Sequence, residues 1–217
     1  LKVLVSDATT LDLSYEYADH ERFIDRGIPT ADGEPVERFE KIVFGDEDQN
    51  LQTLTANIMR ANVSHMLSDT SKLNISVLSS DYEKMYQNLY AAAYDAATNV
   101  VTMDGYYDPT ERENFMMSAN LVSELDFGGM KHTLLVGTEV IDTQNKNTRY
   151  DSYWITSGSD KESFIVTRPL DFSVTNLGVA TAFDFATKLK SRTESDIAVS
   201  SFYVQDQIEV SDKVLLM

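Results

Sequence analysis

Apolar and polar side chains alternate with a period of two along much of this chain. Leu11, Leu13, Tyr15 and Tyr17 alternate with Asp12, Ser14, Glu16 and Ala18, and Leu73, Ile75 and Val77 alternate with Asn74 and Ser76. Phe115, Met117, Ala119, Leu121 and Leu125 share a parity opposite Ser118, Asn120, Glu124 and Asp126, while Leu134, Val136 and Val140 oppose Gly137 and Glu139. A two-residue period sends successive side chains to opposite faces of a strand, so each segment predicts a β-strand with one apolar and one polar face. The pattern is weaker ahead of Ser68, and across Ile197–Ile208 both parities carry apolar residues.

Compact turns punctuate these segments at Ser6–Thr9, Ser68–Ser71, Asp126–Gly129 and Val210–Lys213, each with the Ser, Asp or Gly chemistry of a tight hairpin. Between hairpins the connections are long. Glu16–Asp48 holds 11 acidic and 4 basic side chains, and Gly27, Pro29, Gly33 and Pro35 break regular structure within it. Tyr150–Ser195 reads as a second long polar connection. Structureless loops of that size count against a compact soluble domain, whereas short turns at one end and long loops at the other characterise outer-membrane barrels. The end segments Leu1–Val5 and Val214–Met217 are shorter than the roughly 9–11 residues that cross a bilayer as a strand. The expected fold is therefore all-β: a partial antiparallel transmembrane β-barrel of about eight strands, two of them incomplete, with short periplasmic turns and long extracellular loops. Two rivals are a self-contained eight-stranded membrane barrel and a soluble β-sandwich binding module. The short end strands oppose the first. The second would hide its apolar parity in water, whereas a barrel wall requires detergent.

Composition narrows the function. The 217 residues carry 35 acidic and 18 basic side chains, a formal charge of −17. That balance opposes nucleic-acid binding, which rests on lysine and arginine neutralising phosphates. The absence of cysteine removes disulfides, thiolate metal sites and cysteine nucleophiles. The longest near-apolar run, Leu89–Tyr94, is far short of the roughly 18 residues of a spanning helix, a test to which barrel strands are blind. Leu1–Val5 shows no signal-peptide pattern.

Several motifs then resemble one family. Gly129-Met130-Lys131-His132-Thr133-Leu134-Leu135-Val136-Gly137-Thr138-Glu139 is similar to a strand of TonB-dependent siderophore receptors, and Ser201-Phe202-Tyr203-Val204-Gln205-Asp206-Gln207 to another, followed by a short turn at Ser211-Asp212-Lys213. Asp25-Arg26-Gly27-Ile28-Pro29, Gly33-Glu34-Pro35-Val36 and Phe44-Gly45-Asp46 resemble a loop of the catecholate-siderophore branch, as does the spacing from Tyr106 to Arg112 and Asn114. The resemblance implies that residues 1–217 are a barrel section, about eight of some 22 strands. It further implies that the plug domain, which contacts TonB, lies outside this sequence together with the remaining strands. The implied role is that of part of a bacterial outer-membrane receptor importing ferric siderophores, with iron as cargo and no resident cofactor. Outer-membrane lipid and lipopolysaccharide are the implied surroundings.

No residue set suggests an enzyme. His20, His65 and His132 are far apart and lack ligand spacing, so ordinary strand or interface roles are expected. Ser157-Gly158-Ser159-Asp160 lacks a nucleophile elbow and reads as a loop tip. Asp46-Glu47-Asp48 and Asp32-Gly33-Glu34 lack calcium-loop spacing and read as acidic surface. Tyr15, Tyr17 and Phe115 lie on the alternating apolar faces and fit lipid contact or an interfacial girdle. Tyr106, Tyr107, Tyr150, Tyr153 and Trp154 read as lying in or beside loops, with Arg112 and Arg149 flanking them in sequence. A ferric catecholate complex is a bulky aromatic trianion that calls for stacking surfaces and cations, so these seven are the candidate ligand contacts. The opposing expectation is that they pack loops or line the girdle.

Overall fold

The computed structural model describes residues 1–46, 48–166, 183–211 and 213–217, and of residues 183–187 the backbone alone. The described elements are β1 (Lys2–Ser6), β2 (Thr9–Phe23), β3 (Thr30–Ala31), β4 (Glu34–Pro35), a 3-10 turn at Glu37–Phe39, β5 (Leu51–Ser68), β6 (Ser71–Asp95), β7 (Val100–Phe127), β8 (Met130–Trp154), β9 (Glu162–Ile165), β10 (Phe183–Ser211) and β11 (Val214–Leu216). Eight strands form one open antiparallel wall in the order β1-β2-β5-β6-β7-β8-β10-β11, and β9 pairs with the upper end of β7. The register row through Thr9, His65, Leu73, Leu121, Val136 and Val204 lies just above the first turn but well above the last. The strands are thus staggered, as the tilt of a barrel wall requires.

All four tight turns expected from sequence join consecutive strands, although Asp212 in the last lies outside the described residues. At the third, Gly128 and Gly129 both take positive φ, the geometry of a two-residue hairpin turn whose twist matches its strands. The expected loop boundaries need correction. β2 runs on to Phe23, β8 reaches Trp154 and β10 begins at Phe183. Moreover, β6 and β7 continue upward to meet at a four-residue turn, 96–99, so they are 25 and 28 residues long. There Asp95 accepts the Ala97 N–H at 2.9 Å and the Thr98 hydroxyl at 2.7 Å, closing the turn.

Beside the short turns, one face is apolar. Leu11, Leu13, Tyr15 and Tyr17 share it with Met59, Ala61 and Val63, then Leu73, Ile75 and Val77, and Phe115, Met117, Ala119 and Leu121. Many of these side chains are exposed, Tyr15 at 59% and Met59 at 59%, which an aqueous sandwich would not tolerate. The other face is polar and cross-linked: Ser64 donates to Asn74 at 2.9 Å, and Asn114 links Ser80 and Thr143. Tyr203 lays its ring over Gly137, its partner across the strands, and donates to Asn120 at 2.5 Å. A Cβ at Gly137 would collide with that ring. The poor alternation of β10 has a local cause: Val199 joins Ile141, Met116 and Leu78 in an apolar row on the polar face.

Candidate ligand-binding site

The buried hydrophobic cluster sits away from the short turns, where the 24–50 connection folds over the upper wall. Phe39, Ile42 and Phe44 pack with Leu89, Val101, Met103, Trp154 and Val166. Phe39 meets Phe44 and Tyr94 edge-on, at 5.3 and 5.2 Å between ring centroids. The seat is fixed by Asn50, which is fully buried. Its amide donates to the carbonyls of Ile24 (3.1 Å) and Leu89 (2.9 Å) and accepts from the N–H groups of Leu89 (3.0 Å) and Asp46 (3.2 Å). One side chain therefore stands in for a strand where β5 has not yet begun, and it satisfies backbone groups that burial would otherwise orphan. Gly45 belongs to the same device, since a Cβ there would strike the Asn50 amide. In the acidic triplet, the Asp46 carboxylate accepts the Asp48 N–H at 2.9 Å, while Glu47 lies outside the described residues. The Asp32-Gly33 pair is the positive-φ turn between β3 and β4.

On the polar face at this level a tyrosine and cation cluster is assembled. Tyr86 stacks on Tyr106 at 5.8 Å, and Tyr90 meets it edge-on at 6.3 Å. The Arg26 guanidinium, carried over by the loop, lies 4.8 Å from the Tyr90 ring and 5.7 Å from the Tyr106 ring. It donates to the Tyr106 hydroxyl at 2.8 Å and to Asn88 Oδ1 at 3.2 Å. Arg149 covers Tyr106 at 4.3 Å and forks onto Asp108, with Nε at 2.7 Å from one oxygen and a second nitrogen on the other. Such planar paired bonds fix the guanidinium over the ring. Lys161 pairs with Asp104 at 3.3 Å, Lys190 pairs with Asp151 at 2.9 Å, and Lys188 lies 5.1 Å from the Tyr153 ring.

Electrostatics hold these groups in their charged or neutral forms. Burial works against the Arg26 charge, but Tyr106 and Tyr86 outweigh it and the net shift is upward. The hydrogen bond to Asp108 raises Arg149, the charge of Asp104 raises Lys161, and the hydrogen bond to Asp151 raises Lys190. Burial, then Asp104, raises the Tyr90 phenol, which keeps it neutral. Among the described residues, Arg26 and Lys188 are the cluster's cations without a carboxylate partner.

The structure divides the seven sequence candidates. All lie in strands; of the five aromatics expected in or beside loops, Tyr153 and Trp154 stand at the end of β8, whereas Tyr106, Tyr107 and Tyr150 lie within β7 and β8. Tyr106, Arg149 and Tyr153 belong to the polar-face cluster. Tyr107 and Tyr150 have the opposite parity and stack on each other at 5.8 Å, while Trp154 is fully buried against Phe164. Arg112 is on the polar face but lies six residues down β7 from Tyr106, and bonds Asn145 at 3.1 Å. Arg26, Tyr86, Asn88, Tyr90, Lys161, Lys188 and Lys190 went unrecognised. Tyr82, Tyr86 and Tyr90 were nevertheless a readable signal, because even positions of one strand share a face.

No family model and no curated protein matches the sequence. Solved structures do. The siderophore receptor PiuA from Acinetobacter baumannii aligns with 96% of this chain at a TM-score of 0.61 and 20% identity, over 32% of its own length. The ferripyoverdine receptor of the outer membrane of Pseudomonas aeruginosa aligns with 97% at a TM-score of 0.73 and 14% identity, over 27% of its own length. The ferric-catecholate import receptor Fiu from E. coli K12 aligns with 94% at a TM-score of 0.62 and 16% identity, over 32% of its own length. The chain thus spans about a third of the structures it matches, and it has the fold of a section of their barrel walls.

Proposed function

We propose that this chain is a wall section of a bacterial outer-membrane, TonB-dependent receptor that imports ferric siderophores, with anionic aromatic complexes of the catecholate type as its ligand class. The fold supports the receptor reading. The observation that carries the ligand reading is the cluster of Tyr86, Tyr90, Tyr106, Arg26 and Arg149 on the polar face, at the end of the wall away from the short turns. Ring faces stack on flat aromatic chelates, and cations held over those rings meet their negative charge. In this reading the exposed apolar face meets lipid and, beyond it, lipopolysaccharide. Iron passes as cargo, no bond is made or broken by the wall, and TonB acts through a plug domain on the same polypeptide.

Uptake of radioiron supplied as a ferric tris-catecholate tests the reading in cells whose only catecholate route is the parent protein. Tyr106→Ala with Arg149→Ala is expected to lower uptake at least tenfold while the barrel remains folded and surface-exposed. Wild-type protein that supports no uptake of any ferric chelate would refute it.

A further inference from the structure

We infer that the junction of the 24–50 loop with the wall holds a subsite for one anionic oxygen of the ligand, built from Arg26, Asn88 and Tyr106, and that an oxygen seated there also fastens the loop. The inference rests on the import reading above and deepens it. Asn88 is fully buried and lies directly across the strands from Tyr106. Its Oδ1 takes the Arg26 hydrogen bond at 3.2 Å, but its buried Nδ2 has no partner among the described residues. A buried amide donor is costly to leave unused, and native structures rarely do so without a reason.

The groups around it have one chemical sense. Arg26 can only donate, and it has no carboxylate partner among the described residues, whereas Arg149, Lys161 and Lys190 each have one. The Tyr106 hydroxyl accepts from Arg26 at 2.8 Å, so its own proton is left to donate. The corner therefore offers a cation, an amide N–H and a hydroxyl, with the one amide oxygen already engaged. Its complement is an oxygen that only accepts and carries negative charge, as in a catecholate or carboxylate. Such an oxygen accepts from the Asn88 amide, the Tyr106 hydroxyl and the remaining Arg26 N–H groups, leaving the Arg26–Asn88 contact in place, and gains charge-assisted bonds. An uncharged hydroxamate complex brings no equivalent group. Because Arg26 belongs to the loop while Asn88 and Tyr106 belong to the wall, one bound oxygen joins the two.

The test uses the full receptor in detergent, with folding checked by heat-modifiable electrophoretic mobility. Calorimetry would compare a ferric tris-catecholate with an uncharged ferric trihydroxamate, and hydrogen exchange would follow residues 24–50. Asn88→Asp replaces the free donor by a carboxylate, and Tyr106→Phe keeps the ring while removing the hydroxyl. Both should weaken tris-catecholate binding by about tenfold to a hundredfold. Ligand should also slow exchange of the loop in the wild type and not in Asn88→Asp. Should Asn88→Asp fail to fold, Tyr106→Phe carries the test alone. Variants that bind tris-catecholate within twofold of wild type would overturn the subsite and leave the import reading standing. A wild type that binds neither complex would overturn both.

Discussion

Asn50→Ala tests how the loop is held. The amide it removes serves four backbone groups: the carbonyls of Ile24 and Leu89 and the N–H groups of Leu89 and Asp46. A buried polar group left unpaired costs about 1–3 kcal/mol. Leu89 is fully buried in the wall, so its two groups stay dry while the loop is closed; Ile24 and Asp46 are buried as well, but they belong to the loop and can re-pair by local rearrangement. Two dry orphans at about 1.5 kcal/mol each destabilise the closed loop by about 3 kcal/mol, which makes opening roughly a hundredfold more frequent. The wall below keeps its ladder, so the barrel should stay folded. Trypsin cleavage after Arg38 and Lys41, together with hydrogen exchange across residues 36–46, reads the opening directly. Asn50→Asp should do no better, because it aims a carboxylate at two carbonyl oxygens. Cleavage of folded Asn50→Ala at the wild-type rate would show that the amide does not hold the loop.

Gly137→Ala should destabilise the wall by about 1–3 kcal/mol, because the new methyl displaces the Tyr203 ring and breaks its bond to Asn120. A lower unfolding temperature in heat-modifiability assays checks it, and an unchanged one would show that the ring is free to move. Trp154→Ala should cost about 3–5 kcal/mol within the upper cluster and loosen the loop, with Trp154→Phe restoring most of it. Equal loss of ligand affinity in both, with the loop intact, would instead mark Trp154 as a ligand contact. The Lys161–Asp104 pair contributes only below about 1 kcal/mol, since Lys161 is half exposed. As Asp104 raises the lysine, that contribution is full below the ordinary lysine value of about 10.4 and is lost as pH rises through the higher folded value. Trp154 emission followed above pH 9 should show an alkaline step that Lys161→Gln removes, and an identical step in the variant would exclude the pair as its source.

The legible parts of the sequence were those where one face meets water and the other does not. Leu11–Tyr17 and Leu73–Val77 showed clean alternation, and the tight turns between strands carried their own chemistry. The upper half of β6 and β7 was illegible for a physical reason. Phe39 and Phe44 cover Leu89, Val101 and Met103 on one face while tyrosines interrupt the other, and the register shift between Ala91 and Ala93 breaks the parity of upper β6. The tyrosines also misplaced the site: Tyr106 and Tyr107 are neighbours in sequence and therefore point to opposite faces. Arg26 was visible within Asp25-Arg26-Gly27-Ile28-Pro29, but nothing local announced that a loop would carry it to Tyr90 and Tyr106.

A charge of −17 sits awkwardly with an anionic ligand until its distribution is considered. Many of the carboxylates lie on the apolar-face parity, just above the exposed apolar belt. Asp81 faces Glu113 across the strands and Glu83 faces Glu111, with Asp19, Glu194 and Asp196 in the same band. Like charges directly opposed weaken a sheet, so this band carries a cost the rest of the ladder must offset. Under the proposed function it would also bound the lipid-facing belt, because a carboxylate row of this kind is too costly to place in hydrocarbon. Glu111 lies five residues along β7 from Tyr106, about 17 Å at roughly 3.3 Å per residue, and faces the other way. That exceeds the screening length of about 8 Å at physiological salt, so the band acts weakly on the cluster. Within the cluster Asp104, Asp108 and Asp151 are each matched by Lys161, Arg149 and Lys190. Among the described residues the cations left for an incoming anion at short range are Arg26 and Lys188, with the Asp160 charge acting against it beside Lys161 and Lys190. Lowering salt should slow its approach even as it tightens its final contacts.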